Sequence, residues 1–134
     1  MIKLTTYNII QMQRIIISRT GGAQGIRDNN LLDSAIHTAY QTFDHQELYK
    51  TVEEKSARMC YGLISNHPFI DGNKRIGILV MLTNLRLNGI TLNISNIDLI
   101  NIGFSLAKNE TSYDDLVKWI FIHKTKNKSP EHTK

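Results

Sequence analysis

The sequence predicts a single all-α domain, a compact bundle of about six helices, and three observations lead to that prediction. Helix-capping residues recur along the chain, apolar residues follow them at helical spacing, and the alternating pattern of strands is nearly absent. The length of 134 residues suits one domain, and 41% hydrophobic residues suffice for one core. The single cysteine, Cys60, excludes an internal disulfide and is expected to be a buried, unreactive thiol.

The first two helices are predicted from their caps and their apolar spacing. Either Thr5 or Thr6 can cap a helix whose apolar positions recur from Ile9 to Ile17. That helix should end near Gly21–Gly22, because glycine accepts the left-handed conformation of a C-cap. Asp28 is expected to cap the second helix, whose apolar positions run from Leu31 to Phe43.

The third and fourth helices flank a proline-containing loop. Thr51 and Glu54 form a capping box, in which each side chain satisfies a free backbone donor of the other residue. The third helix must end before Pro68, because proline disfavours helical backbone in the residue that precedes it. The fourth helix is predicted from Asn73 to about Asn88, with Gly89 after it. Apolar residues surround its first half, so we expect it to be the buried central helix.

The last part of the predicted domain contains a short link and two more helices. Ile90–Ile94 reads as an extended link with at most one β-bridge. Ser95 begins a fifth helix that continues to Ala107, and Thr111 or Ser112 begins a sixth that ends near His123. We therefore predict one domain over residues 1–123 and a basic tail over residues 124–134.

The net charge of +4 is concentrated in that tail. Residues 124–134 carry a net charge of +3, and the remaining residues carry +1. Such a short basic terminus is typical of a solvated end, so direct binding to nucleic acid is not expected. The longest apolar run, Ile76–Leu82, is far shorter than the roughly 20 residues of a membrane span. The N-terminus lacks the features of a signal peptide. We therefore expect a cytoplasmic protein that does not enter a membrane.

The loop before the fourth helix, His67-Pro68-Phe69-Ile70-Asp71-Gly72-Asn73-Lys74-Arg75, carries charges in an unusual place. Lys74 and Arg75 lie in the first helical turn, where the helix dipole disfavours cations. An anion bound there by backbone N–H groups and both cations would remove that cost. Gly72 allows a close approach of the backbone to a ligand, and Asn73 could either fix the loop or donate to a phosphate oxygen. The pattern therefore indicates a phosphate cradle.

Two further residues of this loop bear chemistry. Histidine is the side chain that most often serves as a general base, and His67 lies beside the proposed phosphate site. Asp71 is an oxygen ligand of the kind that Mg²⁺ uses together with substrate phosphates. This combination favours phosphoryl or nucleotidyl transfer. The alternative is purely structural: Asp-Gly is a common turn, Asp71 could cap the helix, and the two cations could simply reach solvent. The loop lacks the P-loop pattern.

These residues resemble the signature of the Fic/Doc family, and most closely its Doc (death-on-curing) branch. The matching positions are His67, Phe69, Asp71, Gly72, Asn73, Lys74 and Arg75. Similarity continues in Gly21–Asp28, in Glu54–Ala57 and in Leu85–Gly89, so that it covers about residues 1–122. The resemblance implies a Fic fold of about six helices, His67 as the base that activates an acceptor hydroxyl, and Asp71 as the Mg²⁺ ligand. Gly72, Asn73, Lys74 and Arg75 would then hold the phosphates of ATP.

Two departures from the AMP-transferring Fic enzymes bear on the reaction. Those enzymes have glycine at the position of Lys74 and a second arginine at the position of Ile78. The Doc kinases share the lysine. They bind ATP in the orientation opposite to that in the AMP-transferring enzymes, and they phosphorylate elongation factor Tu, which halts translation. The resemblance thus favours a protein kinase, with AMP transfer or a catalytically weak corepressor as alternatives. The inhibitory helix motif of many Fic enzymes is also missing, since Ser105 is followed four residues later by Asn109. A separate, Phd-like antitoxin is therefore the expected partner.

Overall fold

The structure is a computed structural model that describes residues 1–125 of the chain. The predicted all-α fold is confirmed over those residues, with six α-helices. Their bounds are α1 Thr6–Thr20, α2 Asn29–His37, α3 Val52–Asn66, α4 Asn73–Leu87, α5 Asn96–Ala107 and α6 Tyr113–His123. None of these helices is both long enough and apolar enough to cross a bilayer.

Side-chain caps begin five of the six helices where the sequence predicts them. The capping residues are Thr5, Asp28, Thr51, Ser95 and Ser112. Each side-chain oxygen accepts a hydrogen bond from a backbone N–H of the first turn, which fixes the start of the helix. Helix α4 is the exception, because Gly72 precedes it and has no side chain to donate or accept.

The prediction that the second helix continues to Phe43 is wrong. Helix α2 ends at His37, a single 3₁₀ turn follows over Thr38–Tyr40, and the chain then forms a hairpin of β1 (Thr42–Phe43) and β2 (Gln46–Glu47). The two connecting residues, Asp44 and His45, have φ angles of 52° and 63°. A two-residue hairpin turn of this left-handed kind matches the twist of the strands, and Asp tolerates it. Phe43 is consequently 75% exposed.

Helices α3 and α4 form the centre of the molecule. One apolar cluster lies between them and α1 and α2, and a second lies between them and α5 and α6. The close approach of the two helices depends on Gly77, where a Cβ atom would lie 2.8 Å from Cγ1 of Ile64. The predicted central position of α4 is thus confirmed, and α3 shares it. Cys60 of α3 is buried, as predicted, and burial raises the pKa of its thiol.

The link after α4 has the single bridge that the sequence allows. Leu92 pairs with Lys124, and the N–H groups of Asn93 and Thr125 donate to the carbonyls of His123 and Thr91 at 2.8 and 2.9 Å. Lys124 also donates to a carboxylate oxygen of the buried Glu53 at 2.7 Å. Lys124 and Thr125 therefore pack with the domain, two residues beyond its predicted end, and the rest of the predicted tail lies outside the described residues.

A buried lysine anchors the hairpin to the centre of the fold. Lys55 of α3 is 1% exposed, and its ammonium group donates to the carbonyl of Tyr49 and to Oε1 of Glu47, the latter at 2.7 Å. The hydrogen bond and positive charge of Lys55 lower the pKa of the Glu47 carboxyl from its ordinary value near 4.5. The ionised carboxylate on β2 is therefore the partner that compensates this buried cation.

Glu47→Gln is expected to lower the free energy of unfolding at pH 7, with an effect that depends on pH. Because the pKa of Glu47 is lower in the folded state, its contribution is present above the unfolded pKa and is lost as pH falls through the folded pKa. The difference between wild type and variant should thus vanish in acid. Urea denaturation at several pH values measures it. Asp44→Asn, in the same hairpin, is the control, and an equal, pH-dependent loss there would contradict the assignment to Lys55.

Candidate active site

The loop between α3 and α4 is pinned to the segment that precedes α2. The N–H groups of Arg27 and Asp28 both donate to the carbonyl of Pro68, at 2.7 and 3.0 Å, and the N–H of Ile70 donates to the carbonyl of Gly25 at 3.0 Å. Ile26 and Phe69 form an isolated antiparallel bridge. The segment Gly21–Asp28, called the glycine-rich segment below, and the loop therefore form one surface.

Arg27 fixes the point at which α3 ends. Its Nη2 donates to the carbonyl of Asn66 at 2.8 Å, and its Nε donates to the carbonyl of His67 at 2.6 Å. These bonds satisfy carbonyls that a helix end leaves without partners. His67 itself has left-handed backbone, with φ 50° and ψ 55°. Such backbone is uncommon outside glycine, and the following Pro68 excludes continuation of the helix.

The ring of His67 is free to act on a bound molecule. The residue is exposed, and within residues 1–125 its ring nitrogens have no hydrogen-bond partner, while its backbone is held by Arg27. An exposed side chain on a fixed backbone, with no partner for its ring in these residues, can accept a proton from a bound molecule as a general base does.

Asn73 closes the loop through its side chain. Its Oδ1 accepts from the N–H of Phe69 at 2.9 Å, and its Nδ2 donates to the carbonyl of the same residue at 3.0 Å. Phe69 is buried in the first apolar cluster. Of the two roles that the sequence leaves open for Asn73, these contacts are those of a loop-fixing residue.

Asp71 faces the glycine-rich segment and does not cap α4. Its Oδ1 accepts from the N–H of Gly72 at 2.8 Å and its Oδ2 from the N–H of Ala23 at 3.2 Å. The carbonyl of Asp71 accepts from Nε2 of the buried Gln13 at 3.2 Å. The carboxylate is nevertheless 45% exposed and keeps free lone pairs on both oxygens.

Asp71 alone offers too few oxygen ligands for Mg²⁺, so the site fits the ion only when the phosphates of a bound molecule supply further ligands. No cluster of three or more potential ligands among His, Cys, Asp and Glu exists in the described part of the chain. Mg²⁺ is commonly held by one or two carboxylates together with phosphates and waters. One accessible carboxylate is therefore enough as the protein's contribution to the ligands.

The N-terminus of α4 opens into a concavity of about 440 Å³. It is lined by His67 and by the residues from Ile70 to Arg75. Gly72 lies at its base with φ 78°, and no side chain caps the first turn of the helix. The N–H groups of Asn73, Lys74 and Arg75 accordingly remain without partners in the described structure. Such a helix end carries partial positive charge and suits an anion.

The two cations of the first turn are held by different elements. Arg75 reaches the end of α1, where Nη1 donates to Oγ1 of Thr20 and to the carbonyl of Gly21, the latter at 3.0 Å. Its Nη2 lies 3.6 Å from Oδ1 of Asp71. Lys74 lies on the side of α5, with Nζ 3.5 Å from the centroid of the Phe104 ring. The structure thus places the loop residues together around one concavity, with the side chain of Lys74 against α5 and that of Arg75 against the end of α1.

Four supporting residues are missing from the sequence prediction of the site: Gln13, Thr20, Gly22 and Arg27. Gln13, Thr20 and Arg27 form hydrogen bonds with loop residues, and a side chain at Gly22 would collide with that of Asp71. Of the four, only Gln13 could have been recognised in the sequence. Gln13 is a polar residue within the apolar stripe of α1, and such residues require a partner.

Within residues 1–125 the other histidines do not form a second site. His37 and His45 are exposed, and Nδ1 of His123 lies 2.8 Å from the carbonyl of Trp119, against whose ring it packs. Trp119 is partly buried against the second apolar cluster. His132 lies outside the described residues.

Two comparisons with known proteins agree on one family. The model of the Fic/DOC family matches residues 3–85, a range that contains the whole loop and the glycine-rich segment. A curated protein named Toxin Doc, from Mycolicibacterium smegmatis (strain ATCC 700084 / mc(2)155), is 35% identical over 72 residues. That match covers 54% of this chain and 55% of the relative, so the chain spans about half the length of the relative it matches.

Proposed function

Because the chain belongs to the Fic/DOC family, we propose that it is a Doc-type toxin and a protein kinase of a toxin–antitoxin system. It transfers the γ-phosphate of ATP to a hydroxyl group of a translation factor, with elongation factor Tu as the expected substrate. The observation that carries this proposal is the uncapped N-terminus of α4, beside which His67 has a free ring.

Each loop residue has one part in the proposed reaction. His67 accepts the proton of the acceptor hydroxyl as the oxygen attacks the γ-phosphorus, whose bond to the bridging oxygen breaks so that ADP leaves. The N–H groups of the first turn, with Lys74 and Arg75, hold the phosphates against the positive end of the helix. Asp71 would bind Mg²⁺ jointly with those phosphates, and the ion would neutralise part of their charge. Asn73 and Gly72 keep the backbone in the conformation that exposes these donors.

Lys74 and Ile78 favour a kinase over an AMP transferase. The resemblance associates AMP transfer with a glycine and a second arginine at these positions, and this chain has neither. Ile78 instead lines an apolar groove of about 630 Å³ between α1, α4 and α5. Lys74 and Arg75 supply positive charge where this groove meets the phosphate concavity.

The same groove is the proposed docking surface of a Phd-like antitoxin. Its wall contains Leu79, Leu82, Leu99, Ile100 and Phe104, and its end is marked by the two cations. An amphipathic segment with an acidic residue would match this combination of apolar surface and positive charge. Such a segment would also cover the mouth of the phosphate concavity, because Lys74 and Arg75 line both spaces.

The reaction is tested with purified protein, elongation factor Tu, Mg²⁺ and ATP labelled at either the α- or the γ-phosphate. We expect label on the factor from γ-labelled ATP alone, and none when Mg²⁺ is chelated. Label from α-labelled ATP would show AMP transfer instead. Absence of label from both, together with harmless expression of the chain in bacteria, would favour a corepressor without catalytic function.

A further inference from the structure

The ammonium group of Lys74 is held by an aromatic ring and not by a carboxylate. Its Nζ lies 3.5 Å from the centroid of Phe104, well within the range of a cation–π interaction. No carboxylate in residues 1–125 forms an ion pair with it. The charge of Lys74 is therefore not neutralised by the described part of the protein.

The stem of the same side chain passes over Gly103. A Cβ atom at Gly103 would lie 3.2 Å from Cγ and 3.3 Å from Cδ of Lys74, which is too close without a shift of the stem. Glycine is unfavourable inside a helix compared with alanine, and here it leaves the space that the lysine stem occupies. Gly103 and Phe104 together form what we call the Lys74 seat.

The seat fixes a cation at the border between two spaces. Lys74 lines both the concavity of the loop and the apolar groove along α4 and α5. Arg75 is held on the other side, by Thr20 and Gly21 at the end of α1. A phosphate chain that lies across the N-terminus of α4 would therefore meet one cation on each side.

We propose that Gly103 and Phe104 are positioning residues, which hold Lys74 where it binds a phosphate of the donor nucleotide. The inference rests on the proposed function, because it concerns the lysine that distinguishes the kinases in the resemblance. A free lysine side chain loses much conformational entropy when it is ordered by a ligand. A lysine already ordered by the seat loses less, so that the ligand binds more tightly.

The test is the affinity of the protein for Mg²⁺ and ATP, measured by calorimetry without an acceptor protein. Phe104→Leu keeps an apolar side chain and removes the ring. We expect ATP to bind about two- to fivefold more weakly, the range of an exposed cation–π contact. Phe104→Tyr should bind as wild type does. Phe104 is 48% exposed, so these variants should fold. Gly103→Ala, which crowds the stem, should also weaken binding.

The decisive comparison is made in a Lys74→Ala background. There, Phe104→Leu should have no further effect, because the ring acts only through the lysine. Equal weakening with and without Lys74 would overturn the proposal, and so would an unchanged affinity in Phe104→Leu. In transfer assays, KM for ATP should rise while kcat stays near that of wild type.

These outcomes are separate from those of the kinase proposal. Coupling between Phe104 and Lys74 without any transfer of the γ-phosphate supports the positioning role of Phe104 and overturns the proposed kinase activity. Transfer of the γ-phosphate without coupling between the two residues supports the kinase activity and overturns the positioning role of Phe104. A wild-type protein that does not bind ATP overturns both.

Discussion

His67→Ala is expected to reduce phosphate transfer by about 10²- to 10⁴-fold, the usual contribution of a general base. The same change should leave the free energy of unfolding nearly unaltered, because the ring is exposed and has no hydrogen-bond partner in the described structure. Transfer of label to elongation factor Tu measures the first effect, and urea denaturation measures the second. Toxicity on expression should be lost in parallel.

Two further variants separate proton transfer from loop geometry. His67→Asn retains a polar side chain that tolerates left-handed backbone, and it cannot take up a proton at neutral pH. It should therefore be as inactive as the alanine variant. His37→Ala, an exposed histidine at the end of α2, should retain full activity. Activity of His67→Asn near that of wild type would exclude a proton-accepting role.

The parts of the fold that local chemistry determines could be predicted from the sequence. A cap such as Thr51 with Glu54 acts within one turn of helix. Its residues are therefore close together in the sequence and can be recognised from it. The hairpin after α2 could not be predicted, because Phe43 continues the apolar spacing of the helix. What decides its conformation is the pairing with Gln46 and the anchoring of Glu47 by Lys55, a contact with a later helix.

The same distinction applies to the candidate site. The residues of the loop lie in one continuous segment, and the misplaced charges of Lys74 and Arg75 mark it. The residues that support the loop come from elsewhere: Arg27 binds its carbonyls and Gln13 binds the carbonyl of Asp71. Nothing local to Arg27 indicates these contacts, since they depend on how the segment before α2 packs. The seat of Lys74 on α5 is hidden from the sequence for the same reason.

Gly22→Ala is expected to cause the second large loss of activity, through Asp71 and without altering any loop residue. A Cβ atom at Gly22 would lie 2.5 Å from Oδ2 of Asp71 and 3.0 Å from Cδ1 of Ile17. The carboxylate must therefore move, and it loses the position in which it accepts from the N–H of Ala23. Disturbing the partners of a metal ligand typically weakens metal binding about 10- to 100-fold. A rise of that size in the Mg²⁺ concentration needed for half-maximal transfer is the expected result.

Two other glycines provide the controls that make this prediction specific to Asp71. Gly21 and Gly89 have φ angles of 91° and 85°, and a Cβ at either would meet nothing within 4 Å. Alanine at these positions carries the same kind of backbone strain, about 1 kcal/mol or somewhat more, and should lower stability as Gly22→Ala does. The Mg²⁺ dependence of both controls should match wild type. If Gly21→Ala shifted the Mg²⁺ dependence as far as Gly22→Ala, backbone strain in the segment and not the contact with Asp71 would explain the loss. Added Mg²⁺ should restore most of the transfer by Gly22→Ala and none of that by His67→Ala, because only the former acts through a ligand of the ion.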